Sequence, residues 1–163
     1  MSLKASVVSS VLFGLCFLRL ATANQSPNII LILADDQEWN ALSTLADPDI
    51  PQSGSPYFQT PNLDQLAQGG MRFSWAYSGG PTCSPSRHAI QFGRSPASLG
   101  IVGYAKNVKS VKADNRDALA TVLKRGCPGY IAAHFGKWHM MPLPEDLGFD
   151  VNDGPNGNEG GGF

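Results

Sequence analysis

The sequence predicts an α/β protein, a mostly parallel sheet flanked by helices, and three observations carry that expectation. Asn28 to Ala34 (NIILILA) is a short, continuous apolar run, the pattern of a strand buried on both faces. Strand-like and helix-like segments then alternate along the chain, as parallel strands with crossover helices require. Each strand-like segment runs into a conspicuous polar group, and beyond the carboxyl ends of parallel strands is where ligands bind in open sheets.

The bulk figures fit one domain. The chain has 163 residues, 42% hydrophobic and 15% charged, which excludes a wholly disordered tail, a coiled coil and a collagen-like repeat. Lys+Arg 12 against Asp+Glu 13 gives a net charge of −1 without a basic stripe, arguing against a nucleic-acid partner. Residues 1–23 read as a secretory signal peptide. Lys4 is the positive start, Val7 to Leu18 the apolar stretch, and Ala21-Thr22-Ala23 the cleavage site. The stretch is too short for a stable membrane span, so the expectation is export to a periplasmic or extracellular space. Cys16 invites a lipoprotein reading, but the bulky Leu15 before it argues against one. Beyond the leader only Cys83 and Cys127 remain, and in an oxidising compartment the ordinary expectation for two cysteines is one disulfide.

The elements follow in order. After the first strand the chain stops at Asp35-Asp36, and residues 43–59, rich in Ser, Pro, Gly and Asp, read as a loop. Thr60 caps a helix with Pro61 at its first position, Leu63, Leu66 and Ala67 on one face, and Gly69-Gly70 as the stop. Met71 to Tyr77 (MRFSWAY) alternates large apolar residues with Arg, Ser and Ala, a second strand by period. Gly79-Gly80-Pro81 breaks it, and a helix begins near Ser84-Pro85 and runs to about Gly93. Another spans about Arg116 to Arg125, capped by Asp114 or Asn115 and stopped by Gly126. Tyr130 to Phe135 is the third strand. From Gly148 to Phe163 there is no apolar period, so the sheet is expected to be cut off partway.

If the three strands are parallel, their polar ends converge on one rim. The first contributes Asp35-Asp36, the second leads to Cys83 and Arg87, and the third leads to Lys137 and His139. Taken singly, each has an ordinary explanation: a solvated turn, an inert small thiol, an exposed edge with Trp138 packing inward. Together they offer a cation site, a nucleophile and cationic groups for an oxyanion. Adjacent carboxylates repel unless a hard cation such as Ca²⁺ or Mg²⁺ lies between them. Cys83 precedes a helix N-terminus, which favours negative charge, with Arg87 one turn on. His88 and His134 fall outside this pattern and read as surface or structural residues.

At these residues the chain resembles a family. Cys83-Ser84-Pro85-Ser86-Arg87, continuing to Gly93-Arg94, closely resembles the sulfatase signature C-x-P-S-R followed by G-R. Pro27-Asn28-Ile29-Ile30 running into Asp35-Asp36 is similar to the family's first strand and metal pair. Thr60-Pro61-Asn62-Leu63-Asp64, with Phe73 and Ala76-Tyr77, resembles its next segment, and Gly129-Tyr130 with Gly136-Lys137-Trp138-His139 its second signature. Phe92 stands where Thr is common, and Met140-Met141 replaces the usual Leu-Gly.

The resemblance implies an alkaline-phosphatase-like α/β fold, residues 24–163 being the N-terminal part of the catalytic domain. It implies a sulfuric ester hydrolase that works through formylglycine, made from Cys83 by a formylglycine-generating enzyme as partner. The hydrated aldehyde attacks sulfur, and a covalent sulfate ester forms and collapses. Asp35, Asp36 and the group derived from Cys83 would hold a divalent cation, Ca²⁺ with Mg²⁺ as the alternative. Arg87 and His139 would be catalytic beside Cys83, and Lys137 with His139 would bind the sulfate-ester substrate. The family's later metal and substrate ligands have no counterpart here: Asp146, Asp150, Asp153 and Asn156 come too early in the chain. A phosphodiesterase or phosphonate hydrolase of the same superfamily, and an inactive truncated remnant, are the alternative expectations. A thiol phosphatase fits less well, because only three residues separate Cys83 from Arg87 where the phosphatase loop has five.

Overall fold

The computed structural model describes residues 26–101 and 111–157. Leu33–Phe163 forms one compact unit, separate from Met1–Ile32. The expected leader, 1–23, lies outside the described residues.

Among the described residues there are three α-helices: α1 Pro61–Gly69, α2 Cys83–Phe92 and α3 Leu119–Gly126. Single 3-10 turns occur at Pro51–Ser53, Asn115–Asp117 and Glu145–Leu147. Two short strands, β1 Ala133–His134 and β2 Val151–Asn152, pair in parallel, with Ala133 opposite Val151 and His134 opposite Asn152.

All three expected helices form, and their ends follow local chemistry. α2 ends at Gly93, whose φ of 59° is the left-handed conformation that glycine adopts without steric cost. The turn ahead of α3 is capped by Asp114, whose carboxylate accepts the Arg116 N–H at 2.9 Å. Thr60 precedes α1 as expected, but its side chain makes no bond to the helix backbone. Its hydroxyl lies 2.7 Å from Ser43 Oγ and donates to Asp64 Oδ1 at 3.1 Å, while Ser43 Oγ donates to Asp64 Oδ2 at 2.7 Å. The hydroxyl pins the preceding loop to the helix instead of capping it.

Two expected strands do not form. Neither 28–34 nor 71–77 belongs to a ladder, and their apolar side chains are exposed, Ile30 at 83% and Tyr77 at 82%. A strand exists only through a neighbour that takes its N–H and C=O groups, and among the described residues no neighbour pairs with either segment. α1 likewise buries none of its residues, and Leu63 and Leu66 face solvent. The third expected strand shrinks to Ala133–His134. Its partner lies in the stretch from Gly148 onward, where the sequence has no apolar period.

The core sits elsewhere. Phe92, Leu99, Ile101, Ala118, Trp138, Met140 and Leu147 form one buried cluster, with Phe149 against it. Trp138 meets His134 and Phe149 edge-on, with centroids 4.8 and 5.6 Å away. His88 is fully buried, its ring nitrogens 2.7 Å from the Ser84 carbonyl oxygen and 2.8 Å from that of Met141. It is the structural residue expected, tying α2 to the segment that follows Trp138.

Candidate active site

The site is built from the N-terminal turn of α2. Thr82, in extended conformation, leads into the helix at Cys83. The loop before it is clamped by hydroxyls. Ser86 Oγ donates to the carbonyls of Gly80 at 2.7 Å or Thr82 at 2.9 Å, and lies 2.6 Å from Ser78 Oγ. Gly80 must be small here, because an added Cβ would come within 2.8 Å of Pro85 Cβ. Close backbone packing and the serine clamp thus set where the Cys83 side chain starts.

One turn on, Arg87 is only 10% exposed and spans two partners. Its guanidinium donates to the Lys137 backbone carbonyl and to Asp35 Oδ1, the latter at 3.3 Å. Lys137 Nζ donates to Asp35 Oδ2 at 2.7 Å and to Cys83 Sγ at 3.2 Å. The segment carrying Lys137 is held by the tail. Gly136 N–H donates to Asp153 Oδ2, and the Trp138 and His139 N–H groups donate to the Asn156 carbonyl at 2.8 and 3.0 Å. Buried Trp138 anchors the segment from the other side.

The electrostatics follow from these contacts. The hydrogen bond from Lys137, with smaller contributions from Arg87, holds the Asp35 carboxyl below its ordinary 3.8 against an opposing desolvation cost. Desolvation pulls Lys137 down, but hydrogen bonds to Asp35 and Cys83, with their charge, outweigh it and leave Lys137 above its ordinary 10.5. Both groups are charged at neutral pH.

Of the six residues singled out in the sequence, five come together: Asp35, Asp36, Cys83, Arg87 and Lys137. One donor atom from each of Asp35, Asp36 and Cys83 lies within 4.8 Å of the others. An open cavity of about 270 Å³ adjoins them, lined by Asp35, Asp36, Gln37, Ser78, Cys83 and Arg87 among others. His139 is the exception. Among the described residues no hydrogen bond or ion pair joins its ring to this group, and its buried Nδ1 has no partner. Its φ of 49° is uncommon for a residue with a side chain.

The disulfide expectation is not met: Cys83 carries a free thiol. Ser78 and Ser86 were missed as contributors, although Ser86 lies inside the signature. Arg94, in the same signature, is structural, donating to the carbonyls of Lys112 and Ser98 at 3.0 Å each.

The donor set can be tested against a hard cation. Two adjacent carboxylates suit Ca²⁺ or Mg²⁺, whereas the thiol sulfur of Cys83 is too soft for either. An oxygen in place of that sulfur would complete a set of hard donors.

Comparisons with known proteins identify the family. The sulfatase family model matches residues 27–160. Human N-acetylgalactosamine-6-sulfatase is 36% identical over 76% of this chain and 23% of its own length. Bovine arylsulfatase A is 37% identical over 76% of this chain and 23% of its own. A sulfatase of Formosa agariphila is 34% identical over 87% of this chain and 30% of its own. The chain therefore spans 23–30% of the length of these relatives. No solved structure matches it. With a family match over most of the described residues, and the signature residues gathered around one cavity, this chain belongs to the sulfatase family.

Proposed function

We propose that the chain carries the nucleophile and cation side of a sulfuric ester hydrolase with the alkaline-phosphatase-like α/β fold. The observation that carries the reading is the gathering of Cys83, Asp35, Asp36 and Arg87 around one cavity, with Lys137 bonded to both Asp35 and Cys83. When bound, a divalent cation between Asp35 and Asp36 would draw electron density from sulfate, and formylglycine at position 83 would supply an oxygen nucleophile.

The chain's own residues do the rest. The hydroxyl clamp of Ser78 and Ser86 sets the position of residue 83 at the start of α2. Arg87, nearly buried, presents a fixed fork of donors toward the cavity and holds Asp35 in place. Lys137 brings a compact positive charge to the side chain of residue 83, where negative charge gathers on the reacting oxygens. His139 is the further catalytic and substrate-binding group of this reading, and it would have to turn toward the cavity, since its Nδ1 is buried and unpartnered. The remaining oxygens, which Ca²⁺ takes to a total of about six to eight, come from outside Asp35, Asp36 and residue 83. Export through the leader, and modification by a formylglycine-generating enzyme, complete the proposal. Among the described residues no helix is long and apolar enough to cross a membrane.

The test is the chemical state of Cys83 in protein made alongside a formylglycine-generating enzyme. An aldehyde on the peptide containing residue 83, trapped by a hydrazide, is expected. It should be accompanied by turnover of an aryl sulfate, and Cys83→Ala should lower that turnover by about three orders of magnitude or more. Quantitative iodoacetamide labelling of Cys83 under the same conditions would overturn the formylglycine assignment. Preferential turnover of an aryl phosphodiester would move the chain to the phosphodiesterase branch, since Arg87 and Lys137 can grip either oxyanion.

A further inference from the structure

Lys137 reaches the site through a backbone that turns sharply on both sides of it. Gly136 has φ +88° and His139 φ +49°, both left-handed. Lys137 bonds Asp35 and Cys83, while its neighbour Trp138 is buried in the core. Glycine takes the left-handed conformation freely, but a histidine keeps it only where its surroundings impose it. Those surroundings are the turn that follows β2. The Asn156 carbonyl accepts the N–H groups of both Trp138 and His139, and Asp153 Oδ2 accepts the Gly136 N–H at 2.9 Å. The turn is closed on itself, with Asn156 Nδ2 donating to the Asp153 carbonyl at 3.2 Å and the Asn156 N–H to the Gly154 carbonyl at 2.9 Å. The pairing of His134 with Asn152 carries Asp153 alongside the chain that leads to Lys137.

The structure assigns Asp153 as a positioning residue for Lys137, acting through the Gly136 N–H. This rests on the reading that puts Lys137 beside residue 83, and it adds the side chain that keeps it there. Asp153 does not line the cavity. Of the two acceptors in the turn, its carboxylate is the charged one and makes the stronger bond to a backbone N–H. Arg87 holds the other side of Lys137 through its carbonyl. The peptide groups before and after Lys137 are therefore both fixed, and losing Asp153 frees the first of them. The ammonium then leaves Asp35 and Cys83 more often.

Acylation reads this directly, because only a neutral and accessible amine reacts. Lys137 is 13% exposed, and against the desolvation that opposes it, its bonds to Asp35 and Cys83 keep it charged. The 163-residue chain is treated with limiting acetic anhydride at neutral pH, and peptide mass spectrometry gives the labelling of Lys137 relative to Lys124. Lys124 is the reference because it is tied to the same tail, at the Gly148 carbonyl and Asp150. Asp153→Ala should raise the ratio about threefold over wild type, the scale of one exposed hydrogen bond. Asp153→Asn, which keeps an acceptor oxygen in place, should return most of the way to the wild-type ratio.

An unchanged ratio in Asp153→Ala, whether neither lysine responds or both rise together, would overturn the assignment. Asp35→Asn separates this from the reading beneath it. If Asp35→Asn raises the ratio and Asp153→Ala does not, Lys137 is held at the site and only the role of Asp153 falls. If Asp35→Asn also leaves the ratio unchanged, Lys137 is not held by Asp35 and both fall together.

Discussion

Leu33–Tyr77 and Cys83–Asn156 are built differently, and the site straddles the difference. From Cys83 onward the chain closes around Trp138, Leu99 and Leu147, all at or below 1% exposure. Before it, the large side chains at 71, 73, 75 and 77 stand in solvent, α1 buries nothing, and the rings of Trp39 and Trp75 meet in a tilted contact at 6.3 Å. The cationic half of the site, Arg87 and Lys137, grows from the packed region and is 10% and 13% exposed. The acidic half, Asp35 and Asp36, belongs to the open region, and Asp35 is 44% exposed. Two ion pairs, from Arg87 and Lys137 to Asp35, bridge the halves. The positive groups are thus held by the core, and Asp35 is held by the positive groups.

The sharpest way to break this contrast is a pair of truncations. Trp138→Ala should cost about 3–5 kcal/mol, because it empties a fully packed site against His134 and Phe149. Phe73→Ser should stay within about 0.5 kcal/mol of wild type, since Phe73 is 73% exposed. Urea denaturation followed by far-UV circular dichroism compares them. A cost for Phe73→Ser as large as that for Trp138→Ala would mean that both regions are packed in solution, and the contrast would be lost.

What the sequence reveals divides along the same line. Helices are legible because their signals are local: Gly93 needs only its own φ to end α2, and Asp114 caps its turn through a bond two residues away. Strands are not, because an apolar alternation states a capacity for burial but not what provides it. Met71 to Tyr77 reads as a strand and finds no partner, while Val151–Asn152 has no apolar period and forms the only parallel ladder among the described residues. The site is legible where it depends on side-chain chemistry, in Asp35, Cys83, Arg87 and Lys137. It is illegible where backbone does the holding, as when the Asn156 carbonyl accepts from Trp138 and His139. A carbonyl is the same at every residue and leaves no mark on the sequence.

A medium effect sharpens the contrast within the packed region. Gly148 has φ +90°, and an added Cβ would come within 2.5 Å of Thr121 Oγ1 on α3. That hydroxyl donates to the Leu147 carbonyl at 3.0 Å, so the clash falls on a bond that joins α3 to the turn before β2. Gly148→Ala should cost about 2 kcal/mol, combining left-handed strain with displacement of Thr121. Gly69, at the end of α1 in the open region, has nothing near its missing Cβ, and Gly69→Ala should be neutral or slightly stabilising. Thermal melts of both variants order the two regions by packing without touching the site.

The smallest effect is a pH dependence at the seam between α3 and the strand pair. Asp150 accepts from Lys124 Nζ through Oδ1 and from the Ala132 N–H at 2.8 Å through Oδ2, joining the helix to the chain just before β1. The Lys124 hydrogen bond, then the backbone one, hold the Asp150 carboxyl below its ordinary 3.8. A carboxyl depressed in the folded state contributes stability that is present above its unfolded value and lost as pH falls through the folded one. Asp150→Asn should therefore lower the urea midpoint slightly at about pH 7, and the gap from wild type should close as the pH falls through the depressed folded-state value of Asp150. Because Asp150 is solvent-facing, added salt should also narrow the gap at neutral pH. A gap that persisted unchanged in acid would place the contribution of Asp150 in its shape and its bond to Ala132, with the Lys124 pair adding nothing measurable.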